Sequence, residues 1–207
     1  MKEYVTIAAA AQDSFVERKS EFIGYISPAE TEEEALLFLD EIRTRHRDAT
    51  HNCFAYRFKN GVKRCSDDGE PQGTAGLPIL DVLEREDLND VIVVVTRYFG
   101  GILLGTGGLV RAYGHGAKLA VDAAQKKVMT PAVRVTVPLD YNQYGKINNL
   151  LADYTVIVED TQFMEAVTMQ LLFPVSELER FQRAVTECTA ATVVPQIVEE
   201  CMGEFVQ

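Results

Sequence analysis

The stretch that decides the fold is residues 91–114, which read VIVVVTRYFGGILLGTGGLVRAYG. Its first part, Val91–Val95, is a continuous β-branched run, typical of a strand that is buried on both faces of a sheet. Five glycines follow within nine residues: Gly100, Gly101, Gly105, Gly107 and Gly108. Glycine is favoured where the backbone turns through positive φ or comes close to another group. Apolar residues then recur at helical spacing, which predicts a helix from about Gly107 to Ala124.

This helix is predicted to have one polar face, because four polar residues are spaced by four, three and four. They are Arg111, His115, Lys118 and Asp122. The buried side is predicted to hold Val110, Tyr113, Ala117, Ala120, Val121 and Ala124.

The glycine loop delivers free backbone amides to the N-terminus of the helix, where anions are attracted. A guanidinium beside an aromatic ring suits a phosphate and a stacked base, and Arg97 and Tyr98 stand next to the loop. We therefore predict a surface that binds nucleic acid or another anion. It consists of Arg97, Tyr98, Gly100, Gly101, Gly107, Gly108, Arg111 and Lys118.

Two readings compete with this one. The loop has neither the spacing of a P-loop nor that of a dinucleotide fingerprint, because Val110 stands where a third glycine or alanine belongs. The glycines could instead serve packing, by letting helix and strand approach each other. A catalytic role for the loop is the third interpretation.

A second turn-rich segment, Ser66–Gly76, reads SDDGEPQGTAG. Its carboxylates Asp67, Asp68 and Glu70 suit a metal site or acid–base chemistry. The favoured interpretation is a turn whose aspartates accept from nearby backbone amides. His51 and Cys53 share one strand face and could form a couple, but a lone strand histidine is more often structural. We predict no catalytic residue, no metal and no cofactor.

Other segments give a coarse α+β pattern. The first thirty residues are predicted as one or two strands with a turn near Ser27-Pro28. A capping box at Thr31–Glu34 predicts the start of a helix, with Ala35, Leu36, Leu39 and Ile42 as its apolar stripe. The remaining predictions are a strand at His51–Phe58, a turn at Lys59–Gly61 and a helix at Thr74–Glu84.

A domain boundary is predicted at Lys126–Pro131, giving domains 1–130 and 131–207. The second has the order β-α-β-β-α-β of a ferredoxin-like domain. Its predicted elements are Val133–Leu139, Tyr141–Leu151, Thr155–Glu159, Met164–Phe173, Ser176–Cys188 and Thr192–Val198.

Composition favours a cytoplasmic protein. The 207 residues carry a net charge of −11, which argues against nonspecific coating of nucleic acid. Residues 1–130 hold 16 Lys and Arg against 20 Asp and Glu, whereas residues 131–207 hold 4 against 11. No apolar run reaches the roughly 20 residues that span a membrane, and no signal-peptide pattern is present. The four cysteines are therefore expected to be reduced thiols.

Several long motifs resemble the IMPACT/YigZ family. They are Lys19–Ile23, Ala49–Tyr56, Asp67–Leu80, Arg97–Gly101 and Gly107–Tyr113. The resemblance implies an N-terminal domain like the left-handed βαβ domains of ribosomal proteins and elongation factor G. It also implies a ferredoxin-like C-terminal domain like the last domain of elongation factor G. The family motifs mark a further surface of His51, Asp67, Asp68, Glu70, Gly73 and Thr74.

Functionally, the resemblance implies a link to translation, because eukaryotic members act in translational control and bacterial members are viewed as nucleic-acid or ribosome binders. We expect a non-enzymatic protein that binds RNA, the ribosome or a ribosome-associated factor. The alternative is a hydrolase or nucleotide-binding enzyme that uses the cleft between the Asp67–Gly76 and Gly100–Gly108 loops.

Overall fold

The structure, a computed structural model, describes residues 1–205. It contains two compact units, one of residues 4–127 and one of residues 128 onward together with residues 1–3. Both units combine helices with antiparallel strands. The predicted class, a two-domain α+β protein, is confirmed. Within residues 1–205, no helix has the length and apolar character needed to cross a membrane.

The first unit is built around one central strand. Its elements are β1 (Tyr4–Ile7), β2 (Ala11–Glu17), β3 (Ser20–Pro28), α1 (Glu32–Arg45), β4 (His51–Arg57), β5 (Lys63–Ser66), α2 (Gly76–Arg85), β6 (Val91–Tyr98) and α3 (Thr106–Ala123). The sheet order is β2-β3-β6-β4-β5, and every adjacent pair is antiparallel. Strand β6 lies in the middle and is buried from Val91 to Arg97, as its β-branched run predicts.

Both faces of this sheet are covered, because successive strand residues point to opposite sides. Val93 and Val95 of β6 pack with α2 and α3, in a cluster that includes Tyr113. Ile92 and Val94 pack on the other face with α1 and the aromatic residues of β4. The predicted strand at His51–Phe58 is present as β4, with Phe54 and Tyr56 on this face, and its second face is buried as well.

The predicted turn near Ser27-Pro28 is wrong, since β3 continues to Pro28. The chain turns earlier, at Arg18 and Lys19, whose φ angles are +45° and +65°. Two-residue hairpin turns with both φ angles positive usually carry Asn and Gly. This turn lacks that sequence signal, so its position could not be read from residue type.

The three helices of this unit start close to their predicted positions. Thr31 caps α1 by accepting from the amide of Glu34, although the Glu34 carboxylate accepts from the amide of Glu30 instead of completing the box. Two predicted core residues are exposed: Leu36 of α1 and Val110 of α3.

The second unit has the predicted ferredoxin-like order. Its elements are β7 (Lys126–Leu139), α4 (Tyr141–Leu150), a 3₁₀ turn (Leu151–Asp153), β8 (Ile157–Phe163), β9 (Val167–Pro174), α5 (Val175–Cys188) and β10 (Gln196–Gly203). The strands lie in the order β10-β7-β9-β8. The predicted boundary segment Lys126–Pro131 lies within β7, and the division between the two units falls between residues 127 and 128. Strand β10 begins after Pro195, which cannot donate to a ladder.

Candidate nucleic-acid interface and adjoining cleft

Arg97, which was predicted to bind an anion, is buried inside the protein and bonded to another side chain. Its Nη1 donates to Glu70 Oε1 at 2.6 Å, and the Tyr113 hydroxyl donates to the same oxygen at 2.6 Å. Arg97 is 5% exposed, and its guanidinium lies over the rings of Phe22 and Phe99. A buried cation in contact with a carboxylate is already neutralised. The prediction of Arg97 as a free phosphate-binding cation is therefore wrong.

Tyr98 points to the opposite face of the sheet from Arg97, because neighbouring strand residues alternate. Its hydroxyl lies 2.8 Å from His46 Nδ1, and the Tyr25 hydroxyl lies 2.6 Å from His46 Nε2. Burial, aided by the charge of Arg45, lowers the pKa of His46. Tyr98 therefore belongs to a tyrosine–histidine cluster beside α1, and its predicted role next to Arg97 is wrong.

Lys118 is also neutralised. Its Nζ pairs with Asp122 one helical turn away and lies 3.3 Å from Glu86. Glu86 in turn accepts from Lys126. The bond to Asp122 raises the pKa of Lys118. Its predicted role as a cation free for phosphate does not hold in this arrangement.

Arg111 differs from these two residues, because it makes no ion pair within residues 1–205. It lines a cleft of about 270 Å³ together with Phe15, Arg18 and His115. Arg18, at the tip of the β2–β3 hairpin, was not predicted as a site residue from the sequence. The acid nearest to Arg18 is Glu17 at 3.9 Å, and Arg18 donates to the Leu103 carbonyl at 3.4 Å.

The glycines of the loop serve packing and turning, which supports the competing interpretation. A Cβ at Gly100 would lie 2.0 Å from the carbonyl of Lys19, and one at Gly108 would lie 2.9 Å from Leu104. Gly101 and Gly105 adopt positive φ angles of +82° and +73°. The loop is thereby held against the hairpin tip.

The glycine loop also leaves the start of α3 open. Gly105 is its N-cap and offers no side-chain hydrogen bond, and no acidic residue lies in the first turn. The amides of Gly107 and Gly108 fall in this turn, where helical amides have no partner within the helix. The predicted source of free amides is therefore present, although Gly100 and Gly101 are not part of the helix.

The second predicted loop is organised by Asp67. Its carboxylate accepts from the amides of Gly73, Ala75 and Gly76 at 2.8, 3.0 and 2.8 Å. Burial acts to raise its pKa, but the three amide bonds prevail and lower it. The capping interpretation is confirmed for Asp67. The same loop is closed by Thr74, whose hydroxyl donates to the Pro71 carbonyl at 2.6 Å.

The other two carboxylates of this loop have separate partners. Asp68 accepts from the amide of Asn52 at 2.7 Å and from Arg43 at 2.9 Å. Glu70 is no amide cap, because it is the partner of Arg97. Within residues 1–205, no group of three or more His, Cys, Asp and Glu side chains is arranged to hold a metal ion.

His51 and Cys53 do not form a couple. His51 Nδ1 lies 2.7 Å from the Asp68 carbonyl, which can only accept, so this nitrogen carries the proton. The thiol of Cys53 donates to the Asp67 carbonyl at 3.0 Å. Burial raises the pKa of Cys53 far above its ordinary value, so this thiol is not an activated nucleophile.

Both glycine-containing loops border a cleft of about 400 Å³. Its polar lining includes His51, Glu70, Arg97 and the first residue of α3, Thr106. His51 Nε2 lies 3.9 Å from Glu70 Oε1. The cleft therefore joins residues of the family-motif surface to the helix terminus and adjoins the basic residues at the hairpin tip.

Comparison with known proteins identifies the family. A model described as the Impact N-terminal domain matches residues 18–121, and a second one, described as Domain of unknown function (DUF1949), matches residues 137–192. IMPACT family member YvyE of Bacillus subtilis is 37% identical and covers 91% of this chain and 88% of its own. IMPACT family member YigZ of Escherichia coli is 32% identical, with coverages of 88% and 92%.

A solved structure, titled "Crystal structure of an hypothetical protein", matches with a TM-score of 0.64 at 30% identity. It covers 96% of this chain and 98% of its own. The fold defines a two-domain α+β protein with a ferredoxin-like C-terminal unit. The chain belongs to the IMPACT family, as its motifs predicted.

Proposed function

We propose that this protein is a cytoplasmic, non-enzymatic regulator of translation that binds RNA, as a free transcript or as part of the ribosome. The RNA contacts the hairpin-tip surface, defined as Arg18, Lys19, Arg111 and the first turn of α3. Membership of the IMPACT family supports a general role in translational regulation. The bonds of His51 and Cys53 to backbone carbonyls, and not to each other, favour a protein without a catalytic couple.

The observation that carries this proposal is that two basic residues occupy the strained turn of the β2–β3 hairpin. Arg18 and Lys19 both hold positive φ angles, a conformation in which residues other than glycine and asparagine are strained. Strain of this kind clusters at functional sites. Two exposed cations in place of Asn and Gly indicate that charge at this tip matters more than an unstrained turn.

Charge and shape at the tip fit a phosphate backbone. Arg111 makes no ion pair among residues 1–205, and the pair between Arg18 and Glu17 is loose at 3.9 Å. Next to them, Phe99 and Leu103 are 46% and 80% exposed. Cations beside an exposed aromatic ring are the combination used for single-stranded RNA, where phosphates meet the cations and bases stack on the ring.

The affinity for RNA and its salt dependence test this proposal. Fluorescence anisotropy with a labelled single-stranded RNA between 50 and 200 mM salt compares the parent with Arg18→Gln/Arg111→Gln. A matched control is Arg45→Gln/Arg64→Gln, which removes the same charge at two arginines that are bonded to Glu41 and Glu32. For a single strand, the loss of two phosphate contacts reduces the slope of log affinity against log salt concentration by about 1.4.

We expect weaker binding and a shallower salt slope only in the first double variant. Equal affinity of the two double variants, or an affinity of the parent that does not respond to salt, would contradict the proposal.

A further inference from the structure

We propose that the cleft lined by Arg18, Arg111 and His115, called here the hairpin-tip cleft, binds the terminal phosphate of an RNA strand at its 5′ or its 3′ end. This inference rests on the proposed function and names the class of RNA that the hairpin-tip surface selects. Hydrolysis of a phosphodiester leaves a phosphate on one of the two new ends. The protein therefore distinguishes cleaved RNA that carries such an end from RNA with hydroxyl ends.

Two elements bring three nitrogen-bearing side chains to the hairpin-tip cleft. Arg111 and His115 are four residues apart on α3, so they lie on the same face of the helix. Arg18 comes from the tip of the β2–β3 hairpin, and its Nη1 donates to the Leu103 carbonyl at 3.4 Å. All three side chains line the cleft. Because guanidinium and imidazole N–H groups are donors, a phosphate inside the cleft meets donors from both elements.

The cations of the hairpin-tip cleft are not neutralised by the fold. Arg111 makes no ion pair among residues 1–205, and the imidazole of His115 packs edge-on against the ring of Phe15 at 4.6 Å. Glu17 also lines the cleft, but it lies 3.9 Å from Arg18 Nε, beyond hydrogen-bonding distance. Two arginines against one glutamate leave a net positive charge, which attracts a phosphate.

The shape of the hairpin-tip cleft favours the end of a strand over an internal phosphate. Its lining includes Phe15 and Ala112, which pack in the core of the first unit, so the cleft is closed on that side and a strand cannot pass through it. Its volume of about 270 Å³ is below the roughly 300–1,000 Å³ of sites for drug-sized ligands. A terminal phosphate also carries about −1.5 to −2 charge at neutral pH, whereas an internal one carries a single charge.

Fluorescence anisotropy with one short single-stranded RNA sequence, labelled at an internal base, tests the inference. The RNA is prepared with a 5′-phosphate, with a 3′-phosphate or with two hydroxyl ends. A hydroxyl-ended RNA that is one nucleotide longer has the same number of phosphates as the first two. We expect at least one phosphorylated RNA to bind about tenfold tighter than this longer RNA, because its end gains charge-assisted hydrogen bonds. The tighter of the two phosphorylated RNAs shows which end enters the cleft.

Two single variants are expected to change this preference in opposite directions, which a folding defect cannot do. His115→Leu keeps an apolar contact with Phe15 but removes the N–H donor, so it should lower the ratio of the two affinities at least about twofold. Glu17→Gln removes the competing carboxylate, so it should raise the ratio. Glu33→Gln, at an exposed glutamate of α1, is the control and should leave the ratio unchanged.

Equal affinities for the phosphorylated RNAs and the longer hydroxyl-ended RNA overturn the inference. The proposed function still stands in that case if the common affinity falls with salt and in Arg18→Gln/Arg111→Gln. Binding of none of these RNAs contradicts the proposed function itself. A preference for a phosphorylated end that neither His115→Leu nor Glu17→Gln changes also overturns the inference, because the end is then bound elsewhere.

Discussion

At the scale of single residues, Arg97 and Glu70 of the family motifs have a structural role, because they pair with each other inside the fold. The strand position of Arg97 buries its side chain in the first unit, where its guanidinium donates to Glu70 and Ser20. Because neighbouring strand residues point to opposite faces, the sequence alone could have predicted that Arg97 and Tyr98 lie on different sides of the sheet. The partnership with Glu70 could not be foreseen, because the two residues are 27 positions apart and meet only in the folded sheet.

Loss of Arg97 is expected to destabilise the fold, because it leaves the carboxylate of Glu70 buried without its cation. Arg97→Met should lower the free energy of unfolding by about 3–5 kcal/mol, measured by chemical denaturation. The double variant Arg97→Met/Glu70→Gln should recover part of this loss, because no buried charge is then left unpaired. A double variant no more stable than Arg97→Met would show that the pair is not the cause.

Asp67 is expected to stabilise the loop that leads into α2. Because its pKa is lowered in the folded protein relative to the ordinary 3.8, its contribution is present above that value and is lost as the pH falls through the lower, folded pKa. Asp67→Asn should reduce stability by on the order of 1 kcal/mol at neutral pH. Thermal melts at pH 7 and below pH 3 should show this difference shrinking in acid. A difference that is the same at both pH values would contradict the assignment.

At the scale of elements, strands and helices with a regular hydrophobic pattern were predictable from the sequence, whereas the turn at the hairpin tip was not. The β-branched run of β6 and the helical spacing of α3 reflect burial, which residue type reports directly. The turn at Arg18 and Lys19 carries neither Asn nor Gly, so turn chemistry gave no signal. The candidate surface therefore escaped sequence analysis in part, because its cations occupy a turn that residue preference disfavours.

Replacing the hairpin turn tests whether charge was retained there at the expense of stability. Arg18→Asn/Lys19→Gly supplies the residues that both positive φ angles favour, so it should raise the free energy of unfolding by about 1 kcal/mol or more. It should also weaken RNA binding, measured by anisotropy, because two cations are lost. Arg45→Gln/Arg64→Gln, at two arginines paired with exposed carboxylates elsewhere in the same unit, is the control for charge. A more stable protein with undiminished RNA affinity would show that the hairpin tip is not part of the RNA interface.

At the scale of the whole molecule, the basic residues are concentrated in residues 1–130. The ferredoxin-like order was predictable from the alternation of strand and helix patterns, whereas the limits of β7 and β10 depended on tertiary pairing. Residues 131–207 hold 4 Lys and Arg against 11 Asp and Glu, so this part of the chain is unsuited to a polyanion. We therefore assign the proposed RNA contact to the first unit.

Crosslinking in living cells tests this assignment most directly. Cells expressing the protein are irradiated with ultraviolet light, and peptides that carry an RNA adduct are identified by mass spectrometry, with unirradiated cells as the control. We predict that adducts concentrate in peptides containing residues 15–19 and 99–111. Adducts confined to residues 128–205, or no adducts above the unirradiated control, would contradict the claim that this protein binds RNA through its hairpin tip and glycine loop.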